Sequence, residues 1–217
     1  MQARLSSQVA FGGAIRPARP ARQAVKTMAV FGLFNTTAKM AEKKEELLEA
    51  IAPLKRGLVA SEADRERIDK LASQLERLNP TKQPLASPNL NGQWELLYTT
   101  SESILGTSKP AFLRPSGPIY QIIDANTLTA RNKETAPLFN QVSAELIPVS
   151  KSKVKVQFKE FKILGLIPVK APESAVGDLD ITFLDTDDSA NGSLLRISRG
   201  NKSNLFILRM QNPNVKP

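Results

Sequence analysis

The stretch NGQWELLYTT, residues 91–100, decides the fold class. Within it, Trp94, Leu96 and Tyr98 recur at every second position, a period that is typical of a β-strand. Gly92 comes just before them, where a tight turn favours a residue without a side chain. We therefore expect a strand that starts near Gln93, with Trp94 placed to plug one end of a barrel.

Further segments of the same period follow this strand, with turn signals between them. They cover residues 93–100, 119–124, 127–132, 139–147, 153–161, 179–184, 193–199 and 204–210. Many short antiparallel strands in a chain of this length predict a barrel or a sandwich. A barrel of eight strands is just wide enough to enclose one small ligand.

The segment before the strands has a helical period instead. Residues 38–56 carry apolar side chains at helical spacing and predict a first amphipathic helix. Ser61 predicts the N-cap of a second helix, with Asp64 in the position of a capping box, and Asn79-Pro80 ends that helix. Residues 81–91 read as a linker. The predicted fold is mainly β: an antiparallel barrel of about eight strands preceded by two α-helices.

The composition excludes several kinds of chemistry. The 217 residues include no cysteine and no histidine, so disulfides and imidazole-activated nucleophiles are excluded, and zinc would be left with carboxylates alone. Asp178 and Asp180 share a strand face, but no base or metal-ligand set accompanies them. We expect either carboxylate to form a structural salt bridge with Arg196 or Arg199. We predict no catalytic residue, no metal site and no cofactor.

The amino-terminal segment is basic and differs from the rest of the chain. Its first thirty residues contain five cations and no acid, and the first carboxylate is Glu42. This Arg- and Ala-rich composition predicts an organellar transit peptide over residues 1–29, with a disordered basic tail as the alternative. The remaining 25 cations and 21 anions make a mildly basic protein, so we expect no nucleic-acid partner.

Two terminal motifs resemble those of the plastid lipid-associated (fibrillin) family. Residues 90–101, LNGQWELLYTTS, are similar to the family's entry segment, and residues 195–202, LRISRGNK, followed by LFIL at 205–208, are similar to its closing segment. Arg56-Gly57, Asp64-Arg65 and Asn79-Pro80 stand in the family's order. The resemblance covers roughly residues 40–210. Departures are an insertion at residues 186–192 and Ser203 in place of a glycine.

The resemblance implies a lipocalin-like barrel in the chloroplast, associated with thylakoids or plastoglobules or lying in the stroma. It also implies binding of apolar lipids or pigments of the carotenoid, quinone or glycolipid class. The domains expected are the transit peptide at 1–29, a helical segment and linker at 30–89, the barrel at 90–212 and a tail at 213–217.

Strand parity and the loops supply the expected site residues. An arginine of the last strands, Arg196 or Arg199, is expected to cover the Trp94 indole face. Gly92, Arg196, Arg199 and Gly200 are expected to be structural motif residues. The residues expected to contact lipid are Trp94, Leu96, Tyr98, Phe112, Leu113, Phe158 and Phe183.

Two apolar loops interrupt the strand pattern. Residues 101–117 are expected to act as a lid. Residues 161–169, FKILGLIPV, offer Leu164, Leu166 and Ile167 for contact with a membrane or a lipid-droplet surface. The alternative is that both loops fold back onto the core.

Two other function classes stay open. The first is a non-enzymatic scaffold with a filled barrel, whose amino-terminal helices dock a plastid protein partner. The second is an isomerase or hydrolase that uses the barrel as its pocket, which the missing base and metal ligands disfavour.

Overall fold

A computed structural model describes residues 22–186 and 194–217 of the chain. The chain divides into two units, residues 1–37 and residues 38–217, and the second contains all the strands described. The predicted transit peptide lies largely outside the described residues. It stays a prediction, as do the predicted domain boundaries.

Two helices precede the strands, as the periodicity predicts. Helix α1 spans Arg22–Ile51 and α2 spans Glu62–Arg77. The predicted capping box is confirmed: the Asp64 backbone N–H donates to Ser61 Oγ at 3.1 Å, and the Ser61 N–H donates to the Asp64 carboxylate at 2.9 Å. Helix α1 starts earlier than predicted and ends earlier too, where Pro53 enters a 3₁₀ segment, Ala52–Gly57.

Among the described residues, nine strands and one short helix follow. They are β1 (Gly92–Thr99), α3 (Glu102–Leu105), β2 (Ile119–Asp124), β3 (Thr129–Glu134), β4 (Gln141–Pro148), β5 (Lys153–Ile163), β6 (Ile167–Lys170), β7 (Val176–Leu184), β8 (Leu195–Gly200) and β9 (Leu205–Asn212). The sheet order is β4-β3-β2-β1-β9-β8-β7-β5-β6, all antiparallel, and a further pairing of β4 with β5 closes the ring. The predicted barrel of eight strands is confirmed.

Strand β6 lies outside the ring and corrects the prediction of a loop at residues 161–169. It forms a hairpin with the end of β5, where Ile163 pairs with Ile167. The turn contains Leu164 and Gly165, with φ of 54° and 71°. The strand escaped prediction because it has four residues, includes Pro168 and is exposed along its whole length, so no alternation of burial marks it.

The buried apolar residues in the described part of the chain form two clusters. The inner cluster fills the closed end of the barrel and includes Trp94, Ile181 and Met210. The outer cluster packs α1 and α2 against the outside of β1 and β7–β9 and includes Leu75 and Ile197. A buried ion pair between Lys44 of α1 and Asp185, which follows β7, also ties the first helix to the barrel.

Candidate functional site

A cavity of about 620 Å³ lies inside the barrel, within the range of small-molecule sites. The mouth of the cavity is lined by polar residues from the segments that follow β1, β3 and β8: Ser103, Asn140, Asn201 and Asn204. The wall is mainly apolar. It includes Leu96, Ile119, Val142, Val156, Phe158, Leu179, Phe206 and Leu208. The alternative hypothesis of a scaffold protein assumed a barrel filled by its own side chains, and the open cavity differs from that expectation.

Polar side chains form the floor of this cavity. Gln121 and Asn132 are directly opposite each other on β2 and β3, and Gln121 Nε2 donates to Asn132 Oδ1 at 3.1 Å. Both also line a void of only about 20 Å³ on the side of the closed end, so they mark the boundary between the two spaces. Arg196 and Ser198 of β8 complete the polar lining.

Trp94 lies against this floor and is fully buried. Its Nε1–H donates to the Leu90 carbonyl at 2.9 Å, which fixes the plane of the indole. Of the two arginines expected over that ring, Arg196 has this position, with Cζ 4.7 Å from the ring centroid. Such a contact contributes about 0.5–2 kcal/mol.

The Arg196 guanidinium has no acidic partner among the described residues. Burial lowers its pKa to about 9, so it stays protonated at neutral pH. One Nη donates to Gln121 Oε1. The other Nη, Nε and the buried Ser198 hydroxyl find no protein partner within the described part of the chain. A charged group and several hydrogen-bond donors are thus left unsatisfied at the cavity floor.

Arg199 faces the opposite way, and its contacts correct the expected salt bridge inside the barrel. Its guanidinium donates to Glu76 at 2.8 and 3.1 Å and to Asp69 at 2.7 Å, both on α2. The hydrogen bonds to Glu76 are the largest cause that raises its pKa. Asp180 accepts instead from Ser152 at 2.7 Å. The Asp178 carboxylate accepts from Asn201 Nδ2, and its backbone N–H donates to Asn201 Oδ1.

The residues expected to contact lipid divide into two groups. Leu96 and Phe158 line the cavity, and Trp94 lies against its floor. Tyr98 and Phe183 belong to the outer cluster against the helices, which corrects the expectation that they face a barrel ligand. Shifts in strand register after Leu96 and after Ile181 reverse the parity on which that expectation rested.

The lid residues are also placed differently from the expectation. Phe112 is 78% exposed and Leu113 is half-buried, and neither is among the cavity-lining residues. The loop contributes Ser103 and Ile104 instead, from the region of α3. Ile104, in the middle of the short helix, therefore reaches the cavity, and the aromatic Phe112 does not.

Gly92 has a structural role close to the expected one. Its φ is +117°, and a Cβ at this position would lie 2.6 Å from the Asn212 carbonyl oxygen. Only glycine lets the start of β1 pass this close to the end of β9. At Gly200 an added Cβ would come within 2.8 Å of the Phe206 ring.

An exposed apolar surface borders the mouth, and we call it the rim patch. It consists of Phe139, Phe161, Ile163, Leu164, Leu166 and Ile167. Leu166 is 83% exposed, and Phe161 also lines the cavity, so the patch is continuous with the cavity wall. The Leu164 N–H donates to Asn140 Oδ1 at 3.2 Å, which ties the hairpin turn to the mouth.

Sequence reasoning missed the polar floor. The expected site residues did not include Gln121, Asn132 or Ser198, because polar residues in a strand usually face solvent. One signal was available: Ser198 is two residues from Arg196 on one strand and therefore shares its face.

Other kinds of site are not found in the described part of the chain. No cluster of three or more acidic side chains there could hold a metal ion. None of the helices described has the length and apolar character needed to cross a bilayer.

A closed barrel of eight strands with an open, mainly apolar cavity places the protein in the class of small barrels that are wide enough to enclose a ligand. The chain belongs to the PAP_fibrillin family, whose sequence model matches residues 41–209. No solved structure matches the chain.

The chain is similar to several plastid proteins. It is 48% identical over 179 residues to probable plastid-lipid-associated protein 5, chloroplastic, of Arabidopsis thaliana, covering 82% of this chain and 73% of that protein. It is 33% identical over 129 residues to plastoglobulin-1, chloroplastic, of Pisum sativum, covering 54% of this chain and 35% of that protein. A chromoplast-specific carotenoid-associated protein of an Oncidium hybrid is 31% identical over 97 residues, covering 43% of this chain and 30% of that protein.

These names confirm the predicted family and the predicted chloroplast location. They describe association with lipids or carotenoids and not a reaction. The chain spans only about a third of plastoglobulin-1.

Proposed function

We propose that the barrel binds one molecule of an apolar or amphipathic plastid lipid and carries or sequesters it without catalysing a reaction. The open cavity of about 620 Å³ carries this proposal. Carotenoid, quinone and glycolipid ligands are the classes that the family suggests. Similarity to proteins named for lipid and carotenoid association supports the same assignment.

Burial of the ligand supplies the driving force. The wall is apolar, and each Å² of apolar ligand surface removed from water contributes about 25 cal/mol. A ligand that buries roughly 300 Å² would gain about 7.5 kcal/mol from this term, before the cost of association. Leu96 and Phe158 lie where such a ligand would contact the wall.

The rim patch would bring the mouth to a lipid surface. Apolar side chains that are this exposed usually mark an interaction site. Leu164, Leu166 and Ile167 would enter the interface, and the flanking Lys162 and Lys170 would meet anionic headgroups at about 1 kcal/mol per charge. Because Phe161 links the patch to the cavity, a ligand could pass between them without crossing water.

Organic extraction of the full chain, purified gently from plastids, tests the cavity. Mass spectrometry should find one lipid in near-stoichiometric amount. Val142→Trp should abolish the bound lipid because the side chain lines the cavity. Ile147→Trp, on the same strand but 46% exposed, should retain it. A lipid-free wild type, or equal loading of both variants, would contradict the proposal.

Vesicle flotation tests the rim patch, with galactolipid vesicles that contain an anionic glycerolipid. Leu166→Glu with Ile167→Glu should lower the bound fraction at least tenfold while the circular dichroism spectrum stays unchanged. The matched control is Ile147→Glu with Val149→Glu, two exposed apolar residues at the opposite end of the barrel. Equal binding by both double variants would exclude the rim patch as the contact surface.

The expected docking of a plastid protein through the helices stays a prediction. The apolar faces of α1 and α2 are already buried on the barrel. A partner would therefore meet their polar faces.

A further inference from the structure

The inner face of β8 differs from the rest of the cavity wall. Its alternate residues Arg196, Ser198 and Gly200 line the cavity, so this strand contributes no apolar side chain to the interior. Its apolar residues Leu195 and Ile197 face the helices instead. A cavity for a wholly apolar ligand would not need this polar stripe.

The charge at the end of the stripe is uncompensated. Arg196 is fully buried, and no described acid forms a salt bridge with it. Two acids among the described residues line the cavity, and mouth residues donate to both of them: Glu134 accepts from Asn140 at 3.0 Å, and the Asp178 carboxylate accepts from Asn201 Nδ2 at 3.5 Å. A buried cation without a counter-ion is costly and is usually found paired.

We propose that the cavity binds a single-chain lipid carboxylate with its head group inward, on Arg196. The inference rests on the proposed function, because it names the ligand class for the same cavity. The planar guanidinium matches a carboxylate with two parallel hydrogen bonds. One negative charge neutralises the floor, whereas a head group of higher charge would leave excess charge buried.

Gln121 occupies the position at Arg196 that the carboxylate would take. Among the described residues, the amide oxygen of Gln121 accepts the side-chain hydrogen bond that Arg196 donates, and Gln121 itself is half-buried. The guanidinium has no exposed surface and lies just behind the cavity floor, so rotation of Gln121 gives the carboxylate access to it. The Ser198 hydroxyl, which lacks a protein partner in the described part of the chain, then donates to the second carboxylate oxygen.

Trp94 provides a direct readout because it is the single tryptophan in the chain and contacts the Arg196 guanidinium. Its fluorescence is titrated in the full chain with palmitate below the micelle concentration and, separately, with hexadecanol of the same chain length. Loss of a hydrogen-bonded charge pair changes affinity by about 10- to 100-fold. We expect palmitate to bind that much more tightly than the alcohol, with a shift in Trp94 emission.

Arg196→Gln should remove the preference for palmitate, and Arg209→Gln, an exposed arginine paired with Glu95, should retain it. If Arg196→Gln does not fold, the wild-type comparison of palmitate with hexadecanol still decides. Equal affinity for both ligands overturns the carboxylate site but leaves the proposed cavity function standing. If the protein binds neither palmitate nor hexadecanol, and no plastid lipid is found in its organic extract, both the carboxylate site and the proposed cavity function are overturned.

Discussion

Arg196 and Arg199 lie three residues apart on β8, and their surroundings are opposite. Arg199 points outward and is matched by two acids and a serine on α2. Arg196 points inward and meets an indole, one amide and unfilled space. On the outer face of the strand, the arginine therefore has hydrogen-bond partners and is covered by α2, which stabilises the fold. The inner face keeps unsatisfied donors next to a cavity, which suits a ligand.

Two phenylalanines repeat this contrast. Phe183 is fully buried between the barrel and the helices. Phe158 lines the open cavity, with its ring centroid 6.2 Å from that of Phe161 at the rim patch. The same substitution should therefore have different consequences at the two positions.

Phe183→Ala should have the largest effect. Removing a fully buried aromatic ring from a closed core costs about 3–5 kcal/mol. Urea unfolding should show this loss as a lower midpoint with an unchanged slope, and the folded fraction should still bind lipid. Phe112→Ala, at an exposed position, should stay within about 0.5 kcal/mol of the wild type. A loss below about 1 kcal/mol at Phe183 would mean that the helices do not close over the barrel.

Arg199→Gln should have an intermediate effect. The side chain is 24% exposed and Glu76 is 17% exposed, so the pair is partly shielded and hydrogen-bonded twice. We expect a loss of about 2 kcal/mol and, in a cycle with Glu76→Gln, a coupling of about 1 kcal/mol. Arg209→Gln breaks a more exposed pair and should cost less than about 1 kcal/mol. Equal losses for both arginines would show that α2 is not anchored through Arg199.

Much of the fold is predictable because local signals agree with it. The capping box at Ser61 and Asp64 predicts the start of α2. The alternation that begins at Trp94 predicts β1, and similar alternation predicts the other strands of the barrel. Strand β6 is different, since its side chains are exposed on both faces and no pattern of burial exists to be read.

The site is less predictable, because the helices cover one side of the barrel. In β8 the apolar residues Leu195 and Ile197 serve the outer core, so the usual inference that apolar residues face the barrel interior is inverted. The register shifts near Tyr98 and Phe183 add to this, since each exchanges the inner and outer faces partway along a strand. A contact of Trp94 with either Arg196 or Arg199 was expected because the two motifs suggest it without relying on parity along a whole strand.

Phe158→Ala should affect stability less than Phe183→Ala or Arg199→Gln, and it should have the clearest effect on binding. Its ring borders space that is already open, so the substitution enlarges the cavity without leaving a new closed void, and the loss should stay near 1 kcal/mol. The ligand loses an apolar surface, and its dissociation constant should rise about tenfold. Palmitate titration of Trp94 fluorescence measures the second effect, and urea unfolding measures the first. A loss as large as that of Phe183→Ala would mean that the interior is as tightly packed as the outer core, and the cavity would then not be a preformed site.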